Sequence, residues 1–348
     1  MKAAVITDIG KVEVREVPKP SIEGGGLLLR VEACAICGTD VRIFNFGHSK
    51  VKFPWTTGHE FAGVVEDIKG LPDVDLKVGD RVNVDPTDGC GKCEYCKAGR
   101  ASLCPETKAI GYYYPGAFAQ YIAIPPSIVR AGGVYKIPDD LSFPEAAVTE
   151  PVAAAINGHE NLHIKLGETV AIIGAGPLGY IHSIISKLEG AAKVIIMDVV
   201  DDRLKFASEF GVNLAFNSSK VDPVEAVREA TGGAGADVAI VACSVTQVIE
   251  QAMKMVKKRG RVLLFAGFPK DRSRVEMDVN LIHYSEIGVF GSFGAPRAAY
   301  DTAHKLVASG VFPAKKFVSA TLPLDRIAEG FAMAKAGQGL RIVMQPWA

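Results

Sequence analysis

Residues 174–179 read Gly-Ala-Gly-Pro-Leu-Gly, and their setting constrains the fold more than any other stretch of the chain. An apolar run at 170–173 precedes them, a helical stretch to about 188 follows, and a second apolar run at 194–197 ends in Asp198. Glycine-rich hexamers are common by themselves. A strand before, a helix after and an acidic residue about 20 positions on are what a dinucleotide-binding turn requires. Gly174 permits the tight turn, Gly176 lets the backbone approach a pyrophosphate, and Gly179 lets the helix pack close to the strand. Pro177 and Leu178 open the helix, whose positive N-terminus receives the pyrophosphate. Asp198 is placed to accept hydrogen bonds from the adenosine ribose hydroxyls and to repel a 2′-phosphate, favouring NAD over NADP; its plainer role is a strand-end cap. Arg203 either stacks on the adenine or lies solvated on a helix.

Apolar runs recur at 170–173, 194–197, 238–241 and 262–265. Continuous apolar strands alternating with helical segments predict a doubly wound parallel sheet covered on both faces, an α/β architecture. Residues 1–150 read differently. Short alternating or β-branched runs at 2–7, 12–17, 27–33, 61–68, 81–84 and 119–124, punctuated by Gly and Pro, predict an irregular β-barrel-like domain. An amphipathic stretch at 144–162 leads into the nucleotide domain, taken as 151–290. Residues 291–348 carry helical segments at 298–309 and 324–336 and a strand at 340–344, and are expected to fold back onto the first domain. A chain of 348 residues suits two domains. Lysine plus arginine balances aspartate plus glutamate at 39 each, which argues against a nucleic-acid partner. The apolar runs are too short for a membrane span. Met1 leads directly into the first strand pattern, so a cytoplasmic, reducing location is expected.

Cys90, Cys93, Cys96 and Cys104 fall within fifteen residues. That spacing lets four thiolates converge on one tetrahedral cation, and four soft ligands with no open position indicate a structural zinc. Gly89 and Gly91 are expected to supply unusual dihedrals, and Pro105 to stiffen the exit. Two disulfides are the alternative, disfavoured in a reducing compartment. Cys37 stands in Cys37-Gly38-Thr39-Asp40, and His59 and Glu60 follow in Gly58-His59-Glu60. Taken singly, Cys37 and His59 are ordinary core residues. Taken together, three protein ligands and a labile water describe a catalytic metal site.

The chain resembles the zinc-containing medium-chain dehydrogenases/reductases, the superfamily of alcohol, sorbitol and threonine dehydrogenases, over essentially its whole length. The resemblance rests on the Cys37 and Gly58-His59-Glu60 motifs, Val78-Gly79-Asp80-Arg81-Val82, the cysteine quartet, Gly116-Ala117-Phe118-Ala119-Gln120-Tyr121, Glu150-Pro151 and the glycine hexamer. It implies a discontinuous GroES-like catalytic domain, a Rossmann domain and an active site in the cleft between them. Members acting on simple alcohols carry a cysteine where this chain has Glu150; the polyol and threonine branches carry the Glu-Pro pair. Carried over, Cys37, His59 and Glu60 are zinc ligands, with Glu150 as a fourth ligand or a carboxylate behind them. For Glu60 the alternative is a carboxylate that orients His59. Catalytic zinc lowers the pKa of a bound hydroxyl, the alcohol carbon gives hydride to the nicotinamide, and Thr39 is the first proton acceptor, its plainer role being a turn hydroxyl. Ala266-Gly267-Phe268 and Ser292-Phe293 are implied nicotinamide contacts.

One departure is Arg42, where the sorbitol and threonine enzymes usually place a histidine. Arginine cannot act as a base at neutral pH; it is read as a solvated side chain, with an anion clamp for a phosphorylated polyol or sugar acid as the second reading. His48 either lines the substrate mouth or is exposed. The resulting expectation is an NAD- and zinc-dependent dehydrogenase of a polyol or sugar derivative, with one catalytic and one structural zinc. Threonine 3-dehydrogenase and vicinal-diol dehydrogenase are sibling readings. A non-catalytic zinc- and nucleotide-binding protein would need the reactive site broken, and its residues are intact. Leu281-Ile282 and the strand-like run at 275–279 lie where relatives pair subunits, so a homodimer or homotetramer is implied.

Overall fold

The computed structural model describes residues 1–268 and 272–348. It divides into two compact units, Met1–Ala153 with Ala295–Ala348, and Ala154–Gly294.

The first unit is built on a mixed seven-stranded sheet. Val318–Pro323, Arg341–Gln345, Gly26–Ala35, Glu60–Lys69, Arg81–Val84 and Val134–Lys136 lie in that order, and Tyr121–Ile124 pairs with Gly26–Ala35. The long central pair, Gly26–Ala35 and Glu60–Lys69, is antiparallel and contains two register shifts. Such bulges bend the ladder and curl the sheet. Gly63 sits at one of them, where a Cβ would fall 2.1 Å from the Arg30 carbonyl oxygen. The final strand aligns Val343 with Ala35 and Met344 with Cys34, which seats the C-terminus beside the segment that leads to Cys37. Leu27, Leu29, Val31, Phe61, Val82, Val84, Phe118 and Phe331 form the core of this unit. A separate hairpin, Lys2–Asp8 with Lys11–Glu16, opens the chain.

The second unit is a six-stranded, wholly parallel sheet. Numbered in chain order, Thr169–Ile173, Lys193–Asp198, Leu214–Asn217, Ala236–Val241, Val256–Leu264 and Gly288–Gly291 lie in the spatial order 3-2-1-4-5-6. That is the dinucleotide-binding order, in which the strand sequence reverses beside the first strand. Every residue of Ala236–Val241 is buried, as a central parallel strand requires.

Several sequence expectations need correction. The stretch at 144–162 is two helices, Phe143–Ala146 and Thr149–His159. The sheet also has a third and a sixth strand that the four apolar runs do not mark. The run at 275–279 is no strand; it is irregular chain leading into the helix Asn280–Ser285, which contains Leu281 and Ile282.

Candidate active site and metal centres

Cys37 caps the helix Gly38–Phe46: its Sγ accepts the Thr39 N–H at 3.5 Å, and Asp40 accepts the Cys37 N–H at 3.0 Å. The other oxygen of fully buried Asp40 accepts the Gly58 N–H at 3.1 Å and lies 3.6 Å from His59 Nδ1. Asp40 thus ties the Cys37 turn to the His59 segment. Glu60 follows at the start of its strand, and one oxygen stands 3.1 Å from an Arg341 nitrogen. The donor atoms of Cys37, His59 and Glu60 lie within 4.8 Å of one another. Glu150, at the start of Thr149–His159, falls outside that group. Burial raises its carboxyl to about 7, against the nearby His59 and together with Glu60. Asn83 donates to Thr149 at 2.8 Å and anchors this turn.

The electrostatics suit a cation. Burial alone would lower the His59 pKa, yet Tyr112, Asp40 and Cys37 around it raise it well above the ordinary value. Both Glu60 oxygens are buried without a hydrogen bond, although one of them faces the Arg341 guanidinium. Orphaned buried groups of this kind are costly unless something binds them. A thiolate, an imidazole and a carboxylate are the donor set of a borderline-soft divalent ion.

Around this cluster stand Thr39, Arg42, His48 and Tyr112. Arg42 is half-buried, and its Nη2 donates to Thr39 Oγ1 at 3.4 Å. Tyr112 interacts with Thr39 through its hydroxyl, and burial raises that hydroxyl to about 12. Its ring packs against His59 and His48, each at 5.5 Å between centroids. His48 also accepts the Lys50 N–H at 3.1 Å.

The cysteine quartet is gathered likewise, its four sulfurs within 4.8 Å of one another and the Cys90 and Cys96 sulfurs 4.0 Å apart. All seven cysteines are free, so there are no disulfides. Four sulfurs each about 2.3 Å from one ion would be about 3.8 Å apart, close to this spacing. Backbone N–H groups of Lys92 and Cys93 draw the Cys90 thiol down to about 6. Gly91 has φ +71°, as expected of a knuckle turn. Gly89 is needed for a different reason: a Cβ there would meet Cys96 Sγ at 2.6 Å.

In the second unit, the hexamer joins strand to helix as anticipated. Gly174 has φ +113°, and a Cβ on Gly179 would lie 1.9 Å from the Gly174 carbonyl oxygen. A Cβ on Gly176 would meet nothing within 4 Å, and no side chain caps the helix Pro177–Leu188. Open space over free N–H groups, with Leu178 in the first turn, fits a pyrophosphate. Asp198 accepts the Ala175 N–H at 2.9 Å and the Val200 N–H at 3.0 Å, and Arg203 lies 3.5 Å away. The carboxylate is a strand-end cap, yet its remaining lone pairs can still accept ribose hydroxyls. Ala266 follows the fifth strand, the Gly267 carbonyl accepts from Ser244 at 2.8 Å, and Phe268 packs on the core. Ser292, Phe293 and Gly294 are held by Asn157, whose amide donates to the Ser292 hydroxyl and to the Phe293 and Gly294 carbonyls.

Sequence reasoning overlooked Asp40, Tyr112, Asn157 and Arg341. The aromatic run Tyr112-Tyr113-Tyr114 beside a Gly-Pro-rich segment was a usable signal for Tyr112. Nothing local marks Arg341.

Comparison with known proteins decides the family. The alcohol dehydrogenase GroES-like domain matches residues 23–139, and the zinc-binding dehydrogenase family matches residues 177–309. A sorbitol dehydrogenase of Bacillus subtilis is 31% identical over 99% of this chain and 97% of its own. The chain belongs to the zinc-dependent alcohol dehydrogenases. An L-threonine 3-dehydrogenase of Bacillus velezensis is also 31% identical, covering 96% of this dehydrogenase and 95% of the relative. The crystal structure of a zinc-binding dehydrogenase from Sinorhizobium meliloti, bound to NADP, superposes with a TM-score of 0.90 at 32% identity, covering 99% of each chain. The protein is therefore an oxidoreductase of the alcohol and polyol class in a zinc-binding family, as its motifs implied. Among the described residues, no helix is long and apolar enough to cross a membrane.

Proposed function

We propose that this dehydrogenase oxidises a secondary alcohol of a polyol or sugar derivative to the ketone, with NAD as hydride acceptor. The observation that carries the reading is the convergence of Cys37, His59 and Glu60 donors beside Thr39 and Tyr112. In this reading the three residues hold the catalytic zinc, with Glu150 behind them as the carboxylate able to exchange into the site. Bound there, zinc supplies the lowered hydroxyl pKa that lets an alcohol lose its proton near neutral pH. Thr39 accepts that proton on Oγ1 and passes it on through the Tyr112 hydroxyl or water. Arg42 cannot take it, because a guanidinium stays protonated. Arg341 balances Glu60, and Asp40 keeps the Cys37 turn in place and faces His59 Nδ1, leaving Nε2 for the metal.

The quartet Cys90, Cys93, Cys96 and Cys104 is assigned a second, structural zinc. The unit Ala154–Gly294 is assigned the dinucleotide, with Gly174, Gly176, Pro177, Leu178 and Gly179 at the pyrophosphate and Asp198 at the ribose. Asp198 supports NAD: a 2′-phosphate would face a buried carboxylate. Ala266, Gly267, Phe268, Ser292 and Phe293 are assigned to the nicotinamide end, and Arg203 to the adenosine end. Exposed Val279 and Tyr284 support a homodimer or homotetramer, and a cytoplasmic setting keeps the quartet reduced. The threonine 3-dehydrogenase relative, equally identical, supports a second reading in which the substrate is a hydroxy amino acid.

The test is dialysis against a strong chelator, followed by assay of sorbitol, 2,3-butanediol and L-threonine with NAD and NADP in parallel. The expected outcome is loss of NADH production, recovery with zinc, and a kcat/KM for NAD well above that for NADP. Activity that survives complete zinc removal would overturn the metal assignment; preference for NADP would overturn the role given to Asp198.

A further inference from the structure

Arg42 stands one residue, Thr39, away from the metal-ligand cluster. Its guanidinium donates to Thr39 Oγ1 at 3.4 Å, and Thr39 N donates to Cys37 Sγ at 3.5 Å. It forms no ion pair among the described residues. Asp40, on the same helix, is committed elsewhere: one oxygen takes the Cys37 N–H and the other the Gly58 N–H beside His59. Glu60 is committed to Arg341. The guanidinium of this half-buried residue therefore spends one long hydrogen bond on Thr39 and keeps the rest of its planar fork without an acidic partner. A guanidinium fork with free edges beside a substrate site suits bidentate recognition of a carboxylate or phosphate. Tyr112, which reaches the Thr39 hydroxyl, and His48, packed on its ring, form the aromatic side of the site next to Thr39.

Resting on the dehydrogenase reading, we propose that Arg42 is a specificity residue that selects a substrate carrying an anionic oxygen group, carboxylate or phosphate, beside its reacting alcohol. The anion takes the guanidinium edge not used by Thr39 and so places the substrate hydroxyl next to Thr39 Oγ1. A merely positioning arginine, which holds Thr39 alone, would affect neutral and anionic substrates alike.

The test uses the zinc-loaded full chain and compares sorbitol, gluconate, sorbitol 6-phosphate and L-threonine by kcat/KM and by calorimetric titration in the presence of NADH. A hydrogen-bonded charge pair is worth about 1.5–3 kcal/mol, so at least one anionic compound should exceed sorbitol by about 10- to 100-fold in binding or kcat/KM. Gluconate against sorbitol 6-phosphate separates carboxylate from phosphate. In Arg42→Gln the anionic-to-neutral ratio should collapse toward one, and Arg42→Lys should restore part of it. The proposal is overturned if no anionic compound binds or reacts better than sorbitol, or if Arg42→Gln lowers all four compounds in equal proportion. Failure of the dehydrogenase reading looks different: no NADH from any of these compounds or from 2,3-butanediol.

Discussion

Glu60 and Arg341 form an ion pair that is almost completely buried, with side-chain exposures of 0% and 4%. Burial raises the Glu60 carboxyl pKa, and Arg341 is the main influence pulling it back. Breaking such a pair leaves an uncompensated buried charge, which costs about 3–5 kcal/mol. Arg341→Ala should therefore lower the midpoint of thermal unfolding and reduce zinc retention at the Cys37 site, both measurable on one preparation by calorimetry and metal analysis. A second buried relay lies in the other unit. His159 Nδ1 meets Glu189 at 2.6 Å, and His159 Nε2 meets His182 Nδ1 at 3.0 Å. The chain of bonds closes if His159 Nδ1 donates to Glu189 and His182 Nδ1 donates to His159 Nε2. Burial, then His159, holds the His182 pKa well below its ordinary value. A depressed histidine contributes its stability above the unfolded pKa of about 6.5 and loses it as pH falls from there toward the folded value, by roughly 1.4 kcal/mol per pH unit. Melting midpoints of the wild type should fall on acidification below about pH 6.5, and His182→Gln should flatten that slope; equal slopes would show that the ring does not carry it. At this scale the sequence disclosed residues by type. Cys37 and His59 were legible because few other roles suit a Cys-Gly-Thr-Asp and a Gly-His-Glu in one chain. Arg341 and Asp40 were not, since a buried arginine and a capping aspartate acquire meaning only from partners that the chain brings in from elsewhere.

At the scale of elements, continuous apolar runs identified four central parallel strands. The two that escaped notice, Leu214–Asn217 and Gly288–Gly291, are the edges of the sheet and are largely exposed or half-buried. An edge strand has no reason to be apolar throughout, so its sequence looks like loop. The strand-like run at 275–279 erred in the opposite direction: its alternating Val275, Met277 and Val279 lie in irregular chain. Where a position is forced by backbone contact, local reading succeeds. Gly179 packs its bare Cα against Gly174, and a side chain there has only backbone to push against. Gly179→Val should separate helix from strand, abolish NADH binding in a fluorescence titration, and lower the melting midpoint. Tight NADH binding by this variant would contradict the geometry.

For the whole molecule, the quartet lobe and the catalytic cluster answer to different tests. Replacing Cys93 and Cys96 by serine should remove one zinc per chain and lower thermal stability before it lowers turnover per folded enzyme; a folded variant of unchanged stability would show the lobe to be dispensable. The sequence by itself determined the parallel nucleotide unit and which residue types could bind metal, because these depend on short-range spacing: a turn of three glycines, four cysteines in fifteen positions, an apolar run of strand length. Only the tertiary structure decided how the site is completed. The C-terminal strand pairs with Gly26–Ala35 and delivers Arg341 to Glu60, while the turn after the quartet brings Tyr112 against His59 and Thr39. It also decided that Glu150 lies outside the three-donor group and that Arg42 reaches the Thr39 hydroxyl. Buried charges and orphaned donors exist only once distant segments exclude water from one another, and that exclusion is a property of the fold rather than of any local stretch.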